Sequence, residues 1–136
     1  MKRAYYYLFY KFYKVTMTGA IESMASWYAA AGVVALECFL LLSSYNYYAV
    51  FFDRYAELNL VSFKVLFPLA LIMIINHVAF SNDEKLQDYI DEFDRLSKEK
   101  NKTGAWIVSI MTIAIVANLV FSYYLMSQID WSIYRK

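Results

Sequence analysis

Several residue types are scarce in this chain, and each scarcity excludes a class of site. One cysteine among 136 residues excludes an intrachain disulfide and any cluster of cysteine metal ligands. Three glycines provide no glycine-rich loop for a phosphate, and one histidine provides no histidine pair of the kind that holds zinc on a helix. No serine lies in a nucleophile-elbow sequence. The sequence therefore predicts no metal, no cofactor and no enzymatic activity.

Charge is also scarce, while apolar residues are in excess. Charged residues make up 18% of the chain and apolar residues 61%, against about 25% and about 45–50% in ordinary soluble domains. The net charge is +1, and the aromatic residues cluster at the ends of apolar runs rather than on a basic face, which argues against nucleic-acid binding. The chain is long enough for one domain, residues 1–136.

The apolar residues gather in three long runs, which predict three membrane-spanning helices at residues 27–52, 61–80 and 105–126. A helix of about 20 apolar residues crosses the hydrocarbon core of a bilayer. The first and third runs carry Trp or Tyr at their ends, as spans do at the membrane interface. The predicted fold class is all-α: an integral membrane bundle of three transmembrane helices, with a short tail at residues 127–136.

Residues 1–26 precede the first span and predict an interfacial segment followed by a short polar connection. On a helix, Arg3, Lys11 and Lys14 share one side and aromatic residues cover most of the rest. Such a helix lies in the headgroup layer with its basic side chains toward anionic lipid. The alternative is that this segment begins a long first helix.

Residues 83–98 predict an amphipathic helix between the second and third spans. Ser81 or Asn82 suits its N-cap, and residues 101–104 are expected to separate it from the third span. Its apolar stripe would lie on the membrane surface, cover the ends of the spans, or dock a soluble partner. The region carries seven acidic residues against five basic ones, which favours contact with protein over contact with anionic lipid. The stripe comprises Leu86, Tyr89, Ile90, Phe93 and Leu96.

The distribution of Lys and Arg predicts the orientation in the membrane. Nine of the 13 lie in the N-terminal segment and the loop at residues 81–104, which three spans place on one side, and four lie on the other. The N-terminus and the amphipathic helix are therefore predicted to be cytoplasmic and the C-terminus external.

Polar residues within the predicted spans are candidates for a functional site. Glu37 lies about ten residues into the first span, and Asn118 reaches a similar depth in the third, so a hydrogen bond between them is expected. Glu37 would serve as a proton or ion site or as a contact for a partner helix, or else as a protonated structural residue. Asn76 and His77 lie near the cytoplasmic end of the second span. His77 is expected to be about 9 Å shallower than Glu37, which leaves only a water-linked contact, and it would otherwise be an interfacial polar residue.

Three stretches resemble small multi-pass membrane proteins of unknown function from the Bacteroidota: YYYLFYKFYK at 5–14, NYYAVF at 46–51 and NLVFSYYLMSQIDW at 118–131. The resemblance is compositional and covers most of the chain. It implies a bacterial inner membrane and no activity that can be transferred.

Two functions remain open on these grounds. The first is a non-enzymatic membrane accessory protein, for example of the immunity or secretion-accessory type. It would bind a protein partner through Glu37 and Asn118 or through the helix at 83–98. The alternative is a self-associating channel or pore with Glu37 facing the lumen. A membrane enzyme is disfavoured because no catalytic constellation is present.

Overall fold

A computed structural model of the chain describes residues 2–18, 24–55 and 62–134. Residues 19–23 of the predicted polar connection, residue 61 of the second span and residues 135–136 of the tail lie outside the described residues. No β-strand occurs in the described part, which confirms the all-α fold class. Its elements are α1 (Lys2–Met17), α2 (Ala25–Phe51), α3 (Phe63–Phe80), α4 (Asp83–Asp94), α5 (Lys98–Ser127) and a 3₁₀ turn at Trp131–Ile133.

Three of these helices, α2, α3 and α5, are long and apolar enough to cross a membrane. They correspond to the three predicted spans, and together they identify the chain as an α-helical membrane protein. The bounds of α2 and α3 lie within two residues of the predicted ones, whereas α5 begins seven residues before residue 105.

The predicted break at residues 101–104 is wrong, because the break lies earlier in the chain. Asn82 caps α4 by accepting a hydrogen bond from the Lys85 amide at 3.0 Å, but α4 ends at Asp94. Ser97 then caps a new helix, its hydroxyl accepting from the Lys100 amide at 3.4 Å. Residues 98–104 are therefore the first turns of α5, continuous with the third span.

The three spanning helices form an open arrangement around α2. Both α3 and α5 pack against α2, as does α1, whereas α3 and α5 make no comparable contact with each other in the described part of the chain. The arrangement is therefore a row with α2 in the middle, and not a closed bundle.

Helix α1 runs antiparallel to the first half of α2. Thr16 donates to the Ala25 carbonyl at 3.2 Å, and the hydroxyl of Tyr5, eleven residues earlier, lies 2.9 Å from Glu37 Oε1. These pairs are separated by about 16 Å along α1 and about 18 Å along α2, so the two helix axes are nearly aligned. A helix in the plane of the interface cannot run along a spanning helix in this way. The packing along α2 argues against the predicted interfacial orientation of α1, and the alternative that α1 begins a long first helix is wrong, because α1 ends at Met17 and α2 begins at Ala25.

The buried apolar core of the described residues lies at one end of the molecule. We call this end the cap; it consists of α1, α4, the end of α3 at Phe80 and the first turns of α2 and α5. Rings interlock across it: Tyr6 stacks on Tyr89 with centroids 4.2 Å apart, and Phe9 on Phe80 at 4.7 Å. The cluster comprises Tyr6, Phe9, Tyr10, Ala29, Val33, Leu86, Ile90 and Phe93.

The apolar stripe of α4 is part of this core. Leu86, Ile90 and Phe93 are buried, with Tyr89 and Leu96 packed against the cluster. The sequence left three uses open for this stripe: contact with the membrane surface, coverage of the span ends, and docking of a partner. In the structure the stripe packs within the cap. Since α1 covers it, the stripe is not a free docking groove for a soluble partner.

Candidate functional site

The cap meets the spans at a cluster of three polar side chains, which we call the junction: Tyr5, Glu37 and Asn76. The Tyr5 hydroxyl lies 2.9 Å from Glu37 Oε1 and 2.8 Å from Asn76 Oδ1. The Asn76 amide nitrogen donates to Glu37 Oε2 at 2.5 Å and to the Ile72 carbonyl at 2.9 Å. Asn76 is buried, and Tyr5 and Glu37 are partly buried. One residue from each of α1, α2 and α3 thus meets at this point.

The junction lies nearer the cap than the sequence indicated. Glu37 contacts Asn76, which is only four residues before the end of α3 and thus about 6 Å from it along the axis. The first turns of α2 extend beyond the end of α3 and pack on α1, so counting from Trp27 placed Glu37 too deep. The expected 9 Å offset between Glu37 and His77 was wrong for the same reason. Asn76 makes the contact, and His77 is exposed.

Asn118 does not approach Glu37, although a bond between them was expected. Its side-chain oxygen accepts from the Tyr47 hydroxyl at 2.7 Å. Tyr47 lies ten residues beyond Glu37 on α2, about 15 Å further from the cap. The prediction failed because α5 runs parallel to α2 in a different register and Glu37 faces α1 and α3.

A polar contact between α2 and α5 was missed from the sequence. The Asn46 amide donates to the Ser122 hydroxyl at 3.0 Å, and Ser122 donates to the Leu119 carbonyl at 2.7 Å. Asn46 is 2% exposed and Ser122 0%. Both are uncharged residues in apolar runs, and their positions in those runs were the available signal, because such side chains bond across membrane helices.

The three basic side chains assigned to lipid headgroups all have protein partners. Arg3 forms an ion pair with Glu92, and Lys14 with Asp94 at 2.8 Å. Lys11 donates to the carbonyl and the side-chain oxygen of Asn101, at 2.9 Å for the carbonyl. They therefore bind α1 to α4 and α5, and contact with lipid headgroups stays a prediction.

Burial and hydrogen bonding perturb the pKa values in this contact. Partial burial raises the pKa of Asp94, but the hydrogen bonds from Lys14 and Tyr10 outweigh it, and the net pKa is below its usual range. The hydrogen bond to Asp94 raises the pKa of Lys14. Burial lowers the pKa of Lys11, which makes no ion pair with the described carboxylates. The Lys14–Asp94 pair is thus stabilised in its charged form.

An open groove of about 590 Å³ lies beside the junction, between α2 and the α3–α4 corner. Small side chains of α2 form one wall. None of its described lining residues is Lys, Arg, Asp or Glu. The lining comprises Ser26, Trp27, Ala30, Ala31, Val34, Ala35, Met73, Asn76, His77, Phe80, Ser81 and Leu86.

No group of three or more His, Cys, Asp or Glu side chains within the described ranges is placed to hold a metal ion. Comparison with protein-family models, with curated proteins and with solved structures finds no match to the chain.

Proposed function

We propose that this protein is a non-enzymatic accessory of a bacterial inner membrane and that it binds a partner protein in the α2–α3 groove. The observation that carries the proposal is the groove itself: about 590 Å³ of open, mainly apolar space beside a well-packed cap. Lipid tails contact the exposed apolar faces of the spans. The groove, however, extends along α2 toward the cap as far as Ser26, beyond the part of the spans that lipid tails cover. Its apolar surface there needs a different molecule to shield it from water.

The lining favours a protein segment over a lipid headgroup. A phosphate would be held by Lys or Arg, and the described lining contains neither. Small residues such as Ala31 and Ala35, four positions apart on α2, let another helix approach closely. Trp27 stands at the rim with 70% of its surface exposed, and Trp is a frequent anchor in protein interfaces. The occupant we propose is an apolar helix of another protein.

The positions of the basic residues support an orientation with the cap in the cytoplasm. The basic residues at the cap are Arg3, Lys11 and Lys14 on α1, Arg95 directly after α4 and Lys98 at the start of α5. Lys and Arg are enriched on the cytoplasmic side of membrane proteins. The external location of the C-terminus follows if three helices cross.

The alternative, a pore with Glu37 facing the lumen, is not favoured by the junction. Both carboxylate oxygens of Glu37 are engaged by Tyr5 and Asn76 of the same chain. A lumen-facing carboxylate would instead face ions or water.

Photocrosslinking tests the groove. A photoreactive phenylalanine analogue replaces Trp27 at the rim or, as a matched control, Trp106 on α5, which is 63% exposed and outside the groove lining. In membranes of the source cell we expect one protein adduct from position 27 that position 106 does not give. Filling the groove with Ala31→Trp should abolish the adduct, and Ala114→Trp, on an exposed part of α5, should not. Lipid adducts alone at position 27, or a protein adduct that survives Ala31→Trp, would contradict the proposal.

A further inference from the structure

The hydrogen atoms available at the junction can be counted, because the orientation of Asn76 is fixed. A backbone carbonyl only accepts, so the Asn76 atom that lies 2.9 Å from the Ile72 carbonyl must be the amide nitrogen. The two amide hydrogens then go to Ile72 and to Glu37 Oε2. The Asn76 side-chain oxygen consequently faces the Tyr5 hydroxyl and requires a donor.

Tyr5 has one hydrogen to share between two oxygens. If it donates to Glu37, then Asn76 Oδ1 lies 2.8 Å from the Tyr5 oxygen with no hydrogen between them, which is repulsive. If it donates to Asn76, then the 2.9 Å contact between Tyr5 and Glu37 Oε1 requires a hydrogen on Glu37. Only the second arrangement gives each of the three contacts a hydrogen of its own, because the single Tyr5 hydrogen shared between two oxygens would form a weaker three-centre bond.

We infer that Glu37 binds one proton in the folded protein and that the junction is a closed ring of three hydrogen bonds. In this ring Glu37 donates to Tyr5, Tyr5 donates to Asn76, and Asn76 donates to Glu37. The ligand of the site is a proton, and the inference does not depend on the proposed partner. It also decides between the uses considered for Glu37 from the sequence, in favour of a protonated residue.

Among the described residues, no Lys or Arg forms an ion pair with Glu37 that would stabilise a negative charge. From α1, the facing titratable group is Tyr5, whose pKa is raised by burial and by Glu37; it therefore keeps its proton. On α3, His77 follows Asn76 and is exposed in the groove. On α2 itself the neighbour is Cys38.

The charged side chains that contact α1 from α4 lie away from Glu37, as does the contact between Lys11 and α5. The charged side chains of α4 that contact α1 meet Arg3 and Lys14. At the start of α5, the Asn101 carbonyl accepts a hydrogen bond from Lys11. The proton on Glu37 thus removes a charge that the described neighbours would leave without an ionic partner.

The ring also joins the cap to the spans. Removing the Glu37 proton leaves three oxygens and one hydrogen between Tyr5, Asn76 and Glu37 Oε1, so the two contacts of Tyr5 must share one hydrogen and weaken. The separation falls at Tyr5, because α1, unlike α2 and α3, is not among the helices long and apolar enough to span a membrane. Protonation of Glu37 therefore holds the N-terminal half of α1 against α2 and α3.

Infrared spectroscopy of the purified full-length protein in nanodiscs at neutral pH tests the inference. A protonated carboxylic acid has a C=O stretch well separated from those of carboxylates, and exposed carboxyl groups are ionised at this pH. We expect this band in the wild type, its loss in Glu37→Gln and its retention in Glu99→Gln, a change at an exposed position of α5. Absence of the band from folded wild-type protein, or its persistence in Glu37→Gln, would overturn the inference.

A second variant keeps the test decisive if Glu37→Gln does not fold. Tyr5→Phe removes the oxygen that accepts the Glu37 proton but keeps the aromatic side chain. The C=O band of Glu37 should therefore shift in frequency or disappear. Tyr28→Phe, at an exposed position of α2, is the control and should leave the band unmoved. A band that is unmoved in Tyr5→Phe would show that the proton is not part of the ring.

Discussion

The Asn46 amide donates to the Ser122 hydroxyl at 3.0 Å in the interior of the α2–α5 interface. Neither side chain is accessible, and no charge is involved. Together with the bond from Tyr47 to Asn118, this contact fixes the register of the two longest helices, because sliding either helix would leave a buried amide without a partner.

We predict that Asn46 and Ser122 are energetically coupled. A double-mutant cycle with Asn46→Ala and Ser122→Ala should give a coupling free energy of about 0.5–1.5 kcal/mol, as for other hydrogen bonds between membrane helices. Unfolding by SDS titration in mixed micelles measures it. Ser44→Ala, on the exposed side of α2, should show additive behaviour with Ser122→Ala. Additivity at Asn46 as well would mean that the bond does not hold the interface.

Gly32 of α2 and Gly104 of α5 should respond differently to substitution by alanine. A Cβ at Gly104 would overlap the ring of Tyr7, and overpacking of this kind costs about 1–3 kcal/mol. A Cβ at Gly32 would lie 3.2 Å from Phe12 Cδ1, a contact that a small shift relieves, and alanine in a helix gains about 1 kcal/mol over glycine. We expect Gly104→Ala to lower the free energy of unfolding and Gly32→Ala to change it little.

Thermal unfolding followed by circular dichroism measures both alanine variants. In a Tyr7→Ala background the penalty at Gly104 should vanish, since the overlapping ring is gone. If the penalty remains there, its cause is not the contact with Tyr7.

Helix α1 is predicted to be part of the folded core. Phe9 is 1% exposed between α2, α3 and α4, so Phe9→Ala should cost about 3–5 kcal/mol of unfolding free energy. Val15 on the same helix is 72% exposed, and Val15→Ala should stay within about 0.5 kcal/mol. Equal and small effects of the two changes would instead describe a helix that rests on the membrane surface.

The Lys14–Asp94 pair predicts a dependence of stability on pH. The folded pKa of Asp94 is below its ordinary value of 3.8, so the pair stabilises the fold above that pH and the contribution is lost as the pH falls through the folded pKa. Both side chains are about 40% exposed (41% and 42%), so solvent screening limits the contribution to about 0.2–1 kcal/mol.

The comparison of wild type with Asp94→Asn isolates this contribution from the other carboxyl groups. The two proteins should differ in unfolding midpoint at about pH 6, and the difference should narrow toward convergence as the pH falls below 3.8. Asp88→Asn, at an exposed position on α4, should show no such convergence. A constant difference between wild type and Asp94→Asn over this range would contradict the assignment.

The spans were predictable from the sequence because a single property defines them. Long apolar runs with few charges must be helical in a bilayer, and that constraint does not depend on tertiary contacts. The N-cap of α4 was predicted as Ser81 or Asn82, and Asn82 is the residue that caps it, since capping is decided by neighbouring residues. The start of α5 was not, because Asn101 and Gly104 resemble a helix stop locally and the contacts of Lys11 and Tyr7 with them are distant in sequence.

The partners of the polar residues could not be predicted for a related reason. Depth counted along one helix locates a residue only if the helices begin at the same level, and α2 extends past the end of α3. Glu37 was correctly identified as a residue needing a partner, but Tyr5 was counted among the aromatic residues of an interfacial helix. The docking of α1 is a tertiary event, and no local pattern in residues 2–17 specifies which helix it will contact.

The contacts of α1 also determine the order in which the protein can be completed during synthesis. Lys11 binds Asn101, which the ribosome adds 90 residues later, and Lys14 binds Asp94, 80 residues later. When α1 leaves the ribosome, α2 is the first of its partners to appear, and α4 and α5 follow only after two helices have been inserted. Of the described helices, α1 is therefore synthesised before the others but completes its contacts last, and a chain interrupted after α3 retains two of its hydrophobic segments while leaving part of the aromatic face of α1 uncovered.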